Sequence, residues 1–206
     1  MMLALNAYVL MGGADFGGGV WDLLARGPRR DAQRALIRDS IAPIWEANHV
    51  WLIIVVVMLF TAFPPAFAML GTVLHIPLTL MLAGIVLRGS AFVFRSYGSP
   101  ERAAQQRWGR VFAMSSLITP VLLGVIVGAI ASGAVGNAQS KLAMGNAQSM
   151  LATGNAQQAL ASVRPSFADV FVTPWLDFFP LAVGLLALAL FAFLAAVYLT
   201  VAARDD

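Results

Sequence analysis

Residues 178–202 read FFPLAVGLLALALFAFLAAVYLTVA, twenty-five positions with no Asp, Glu, Lys, Arg or His among them. A helix rises 1.5 Å per residue, so about twenty mostly apolar residues cross the hydrocarbon core of a bilayer, and this run is long enough. Backbone N–H and C=O groups find no water in lipid, and only a helix or a closed barrel satisfies them all. A continuous apolar run, as opposed to short alternating ones, decides for the helix. Four further stretches of the same kind precede it: Leu3–Leu24, Ile41–Phe63, Gly71–Phe94 and Val111–Gly133. The first is the least helix-prone, because it holds Gly12, Gly13, Gly17, Gly18 and Gly19, yet a glycine-rich face also lets a neighbouring helix approach closely. The sequence therefore predicts an all-α fold, a polytopic transmembrane bundle of about five helices in one domain spanning residues 1–206.

Composition supports that reading. Of the 206 residues 60% are hydrophobic and 11% charged, with a mean hydropathy of +0.80, which is more apolar surface than one soluble core buries. The absence of cysteine excludes disulfides, thiol catalysis and Cys-ligated clusters. A pI near 10 does not point to nucleic acid, because the thirteen basic residues sit in short segments between apolar runs and form no basic arm. The first apolar run has no basic flank or small-residue cleavage site before it, so it reads as a helix of the bundle and not as a removed signal peptide.

Basic residues also set an expected topology. Arg26, Arg29, Arg30, Arg34 and Arg38 follow the first span, and Arg95, Arg102, Arg107 and Arg110 follow the third. The connection after the second span has no Lys or Arg, and residues 134–172 hold only Lys141 and Arg164. The positive-inside rule then puts the N-terminus outside and Arg204, near the C-terminus, in the cytoplasm. Residues 134–172 are read as an external loop carrying a nine-residue tandem repeat, Gly136–Met144, Gly145–Thr153 and Gly154–Ser162. Nine residues are two and a half helical turns, so successive copies would face opposite sides of one helix and form no single stripe.

Ionisable side chains inside the spans cost about 2.5–3.5 kcal/mol each to insert and mark functional candidates. Asp15, Glu46, Arg88 and His49 are such residues, with Asn48 beside them. Counted from the ends of their spans, all fall within about 5–15 Å of the inner edge, at similar depth on three antiparallel helices. Glu46 and His49 are neighbours on one helix surface, bracketed by Trp45 and Trp51. A carboxylate and an imidazole in a dry helical setting suit stepwise proton movement. The other reading is structural, with Arg88 neutralising Asp15 or Glu46 to lock three helices together. His49 and His75, the two histidines, are expected about 15 Å apart in depth and so do not share a haem iron; a haem held by one histidine and a methionine stays open. The fourth span offers Ser115, Ser116 and Thr119 before Pro120, then Gly124, Gly128 and Ser132 at four-residue spacing, a helix-packing face.

Several of these segments, taken in chain order, resemble the second subunit of cytochrome bd-type quinol oxidases. They are Gly13-Ala-Asp15-Phe-Gly17, Ile44-Trp45-Glu46-Ala-Asn48-His-Val-Trp51-Leu, Phe60-Thr-Ala-Phe63-Pro64, Leu87-Arg88-Gly89-Ser-Ala-Phe92-Val-Phe-Arg95, Trp108-Gly109-Arg110 and Thr173-Pro174-Trp175. The resemblance implies a haem-bearing subunit I as partner, holding haem b, haem d and the quinol site. This subunit would scaffold it and conduct cytoplasmic protons towards the oxygen-reducing haem, in a complex that oxidises quinol and reduces oxygen to water. On that reading Asp15, Glu46, His49 and Arg88 belong to the proton pathway, and Glu46 and Asp15 match acidic positions of the family's motifs. Trp45, Asn48, Trp51, Arg95, Gly124 and Gly128 would pack helices or contact the partner. No catalytic residue and no metal site are expected in this subunit, and quinone or lipid as a direct ligand is left open.

Gly12 stands where the family's first span carries an acid, and Val93 where an acid follows the Arg-Gly motif. Family members run to about eight helices in two similar halves, so a fragment, a shortened dimerising paralogue and a subunit completed by another chain are all consistent with five. The expected location is the bacterial cytoplasmic (inner) membrane. Two alternatives stand beside the oxidase subunit: half of a proton-coupled transporter acting as a homodimer, and a subunit with an assembly role alone.

Overall fold

The computed structural model describes residues 1–97, 102–152 and 165–203, and among them it holds helices and no strand. In chain order these are α1 (Met2–Leu24), α2 (Arg30–Ala62), α3 (Pro64–Val73), α4 (His75–Tyr97), α5 (Arg102–Ala131), α6 (Ala134–Ala152), α7 (Phe167–Phe171) and α8 (Phe178–Ala202). Four of them, α2, α4, α5 and α8, are long and apolar enough to cross a membrane. With its 23 residues α1 has the length as well, and it packs along α2, α8 and α5.

The helices differ from the expected spans in ways the local sequence explains. Gly27, at φ +84°, turns the chain after α1, and the N–H of Arg30 donates to its carbonyl at 3.2 Å. Helix α2 then starts at Arg30, eleven residues before the apolar run, because the intervening segment is rich in Ala, Arg, Gln and Leu and buries Ile37 and Ile41. The expected third span divides in two. Pro64 and Pro65 open α3, which ends at Val73, and α4 begins at His75, where Pro77 tolerates only a place in the first turn. Helix α5 starts nine residues earlier than expected and ends before Gly133, at φ +75°. The first repeat copy and most of the second lie on α6, where a loop was expected; the third lies outside the described residues.

Close approach between helices rests on small residues. A Cβ on Gly17 would collide with the backbone carbonyl oxygen of Phe191, so α1 and α8 touch main chain to main chain there. On α5, a Cβ on Gly124 would lie 2.7 Å from the Cα of Gly184, and one on Gly128 2.7 Å from the Cα of Pro180. Phe16, Ile85 and Phe191 form the buried middle of the bundle. A second cluster, with Val73, Leu74, Ile126, Ala129 and Val170, closes the end opposite the arginines. The outward face of α8 remains apolar and open, with Phe193 at 63% exposure, as lipid or a protein partner requires.

Candidate functional site

Asp15 on α1 and Arg88 on α4 meet in the interior, with 0% and 2% of their surfaces exposed. The contact is two-pronged: Nη2 of Arg88 donates to Oδ1 of Asp15 at 2.7 Å, and Nη1 donates to Oδ2 at 3.0 Å. Nη2 also reaches the backbone carbonyl of Asp15 at 2.7 Å. Two other helices complete the centre. Asn48 of α2 donates from Nδ2 to Oδ2 of Asp15 at 3.2 Å, and Ser116 of α5 accepts from Nε of Arg88 at 2.9 Å. The guanidinium lies between two aromatic rings, 4.8 Å from the centroid of Phe16 and 4.9 Å from that of Phe112. Sequence places Ser116 against α1 through Gly19, whose missing side chain leaves the space the serine fills. Four helices thus converge on one charge pair with both carboxylate oxygens engaged.

The other expected residues are distributed around that centre. The side chain of Glu46 lies outside the described residues, and its backbone belongs to α2, two residues before Asn48. His49 is half-buried and does not join Asp15 or Arg88 among the described residues. Its Nδ1 lies 2.7 Å from the carbonyl oxygen of Trp45, which can only accept, so Nδ1 carries the proton and Nε2 is the nitrogen left to exchange one. Trp45 stacks on Phe92 at 5.8 Å and meets the His49 ring edge-on at 5.0 Å. Trp51 is half-buried on the same helix. Gly124 and Gly128 pack α5 against α8, as described above. Four buried polar atoms lack a partner among the described residues: the Tyr8 hydroxyl, Asn48 Oδ1, the Trp45 indole nitrogen and Thr119 Oγ1. Gly12 leaves open the space beside Asn48, where a Cβ would come within 3.2 Å of Oδ1.

Sequence reasoning missed a second ion pair. Asp22 is 3% exposed, and Arg95 donates to both of its oxygens at 3.3 Å. Arg34 of α2 donates from Nη2 to the Asp22 backbone carbonyl at 3.2 Å. That carbonyl has no intrahelical partner, because the N–H of Ala25 takes the carbonyl of Trp21 as the last helical bond of α1. Arg95 is therefore an internal helix-pairing residue. Its side chain and that of Arg34 keep 20% and 28% exposure, so solvent screens this pair more than the first. Asp22→Asn is expected to lower the thermal unfolding midpoint by the equivalent of about 1 kcal/mol, less than Asp15→Asn does, and raised salt should shrink the difference. Equal losses from the two variants would contradict the screening argument.

Comparison with known proteins names the fold. A family model described as cytochrome bd terminal oxidase subunit II matches residues 1–206. The chain belongs to this family. Relatives of this subunit II chain include the cytochrome bd ubiquinol oxidase subunit 2 of Bacillus subtilis (strain 168), 32% identical over 120 residues. They also include the cytochrome bd-I ubiquinol oxidase subunit 2 of Escherichia coli (strain K12), 31% identical over 111 residues, and the putative cytochrome bd menaquinol oxidase subunit II of Bacillus subtilis (strain 168), 28% identical over 120 residues. The matches cover 58%, 54% and 58% of this chain but 34%, 29% and 34% of those proteins, so the chain spans about a third of their length.

As a haem ligand set the two histidines of this subunit II chain do not fit. His49 follows Asn48, which touches Asp15, whereas His75 precedes Arg88 by thirteen residues on α4, about 20 Å along the axis. Nδ1 of His75 lies 2.9 Å from the carbonyl oxygen of Thr72, and its ring meets Phe171 edge-on. Among the described residues no three His, Asp or Glu side chains converge as a metal site.

Proposed function

We propose that this chain works as a subunit of a bd-type terminal quinol oxidase in the bacterial cytoplasmic membrane, where it scaffolds a haem-bearing subunit I. The complex oxidises quinol and reduces oxygen to water, with haem and the quinol site on the partner. The arginine-bearing end of the bundle faces the cytoplasm, as the positive-inside rule requires. The observation that carries this reading is a fully buried carboxylate, ion-paired across four helices, inside an apolar bundle of this family. A buried charge in a membrane is too costly to persist without a role.

Two roles divide among the residues. Arg88 donates to both oxygens of Asp15, so the pair serves first to lock α1, α2, α4 and α5 in register. Proton exchange then falls to Glu46 and His49 on α2, with the unpartnered Asn48 Oδ1 and Tyr8 hydroxyl as sites where water would link them to the centre. Glu46→Ala in the purified complex should slow oxygen consumption several-fold while the haem spectrum of the partner stays intact. Unchanged turnover removes the proton role and leaves the assembly reading, which the saturated Asp15 carboxylate favours.

A further inference from the structure

Among the described residues Arg26, Arg29, Arg30, Arg107 and Arg110 have no protein partner, and three of these five line one cavity. Arg26 in the turn after α1, Arg30 at the start of α2 and Arg110 on α5 surround a space of about 570 Å³, with Arg34 and Gln106 completing its polar wall. Arg26, Arg30 and Arg110 are exposed, and among the described residues no Asp or Glu lines the cavity. Four guanidiniums around one space repel one another and raise the local potential, so the site is built for an anion. Planar, forked donors match the tetrahedral oxygens of phosphate better than they match a halide.

Size and surroundings narrow the ligand. The volume falls in the range of small-molecule sites and is far larger than a bare ion fills. Leu23 and Ala113 give the cavity an apolar wall. Ala25 also lines an apolar groove of about 410 Å³ between α1, α2 and α8, bounded by Trp21, Leu36 and Leu199. A cationic cavity beside an apolar groove, at the end of a membrane bundle, has the two halves of a lipid site.

We propose that the cavity bounded by Arg26, Arg30, Arg34 and Arg110 binds a phosphate-bearing anion, supplied by the headgroup of an anionic phospholipid. The site is separate from the Asp15–Arg88 centre and does not depend on the proton role of Glu46. It ties the α1–α2 turn to α5 by neutralising charges that otherwise push them apart.

The test uses the intact complex in nanodiscs of phosphatidylglycerol and phosphatidylcholine, with bound lipid counted by native mass spectrometry. Wild type should retain phosphatidylglycerol selectively, and Arg26→Gln with Arg110→Gln should weaken that retention about tenfold or more. Arg34 is left unchanged because it holds α1. Retention by wild type should also fall as salt rises, a readout independent of whether the variant assembles. A thermal shift with inorganic phosphate and none with phosphatidylglycerol would support the anion site while moving its source to free phosphate. Equal retention of both lipids by wild type, insensitive to salt, with no phosphate shift, would overturn the proposal. So would cross-links from this turn to an acidic segment of a co-purifying subunit, which would make the cavity a protein interface.

Discussion

Arg88→Met should destabilise the bundle by about 3–5 kcal/mol, the largest single-residue effect expected in this chain, because it leaves the Asp15 carboxylate buried with Asn48 as its one remaining side-chain donor. Asp15→Asn should cost less, since the neutral amide keeps an oxygen towards Nη2 and the guanidinium keeps Phe16, Phe112 and Ser116. The double variant Asp15→Asn with Arg88→Met removes both charges and should recover part of the loss of Arg88→Met alone. Arg88→Lys should not rescue, because an ammonium cannot span both oxygens and also reach Ser116. Thermal unfolding of the purified complex, with its yield from membranes, reads all four. Additive single and double losses would sink the lock, because coupling between Asp15 and Arg88 is what it asserts.

The lock was legible in part. Asp15 and Arg88 are rare charges in apolar runs, and depth counted at 1.5 Å per residue brings them level. The second rung was equally present and went unread: Asp22 follows Asp15 by seven residues, and Arg95 follows Arg88 by seven. Seven residues are about two turns, so each pair shares a helix face, and the two bridges stack about 10 Å apart between parallel helices. Asp22 escaped notice because it stands near the end of the first apolar run, where an acid reads as solvated. The arginines that follow the first apolar run lie partly on α2, because the helix-forming residues among them extend that helix back to Arg30. Ser116 illustrates a different limit. Its place at the centre depends on Gly19 of another helix, a pairing that no periodicity within one segment encodes.

Gly17→Ala sets two known terms against each other, and the larger should win. Alanine gains about 1 kcal/mol over glycine in a helix interior, which by itself would raise stability. At this position the added methyl meets the backbone oxygen of Phe191 and comes within 2.7 Å of the Ala195 Cβ. Neither is the free end of a flexible side chain, so α1 and α8 must separate along their contact. Overpacking of this kind costs about 1–3 kcal/mol or more, and here it also parts the stacked rings of Phe16 and Phe191, 6.4 Å apart, of which Phe16 walls the Arg88 guanidinium. The net expectation is a lower unfolding midpoint, together with weaker assembly of the complex. Gly71→Ala on α3 supplies the contrast, because nothing lies within 4 Å of its added Cβ and only the helix-propensity gain remains. If Gly17→Ala proved as harmless as Gly71→Ala, main-chain contact between α1 and α8 would not be what holds α1 in the bundle, and the alignment of Asp15 with Arg88 would need another cause.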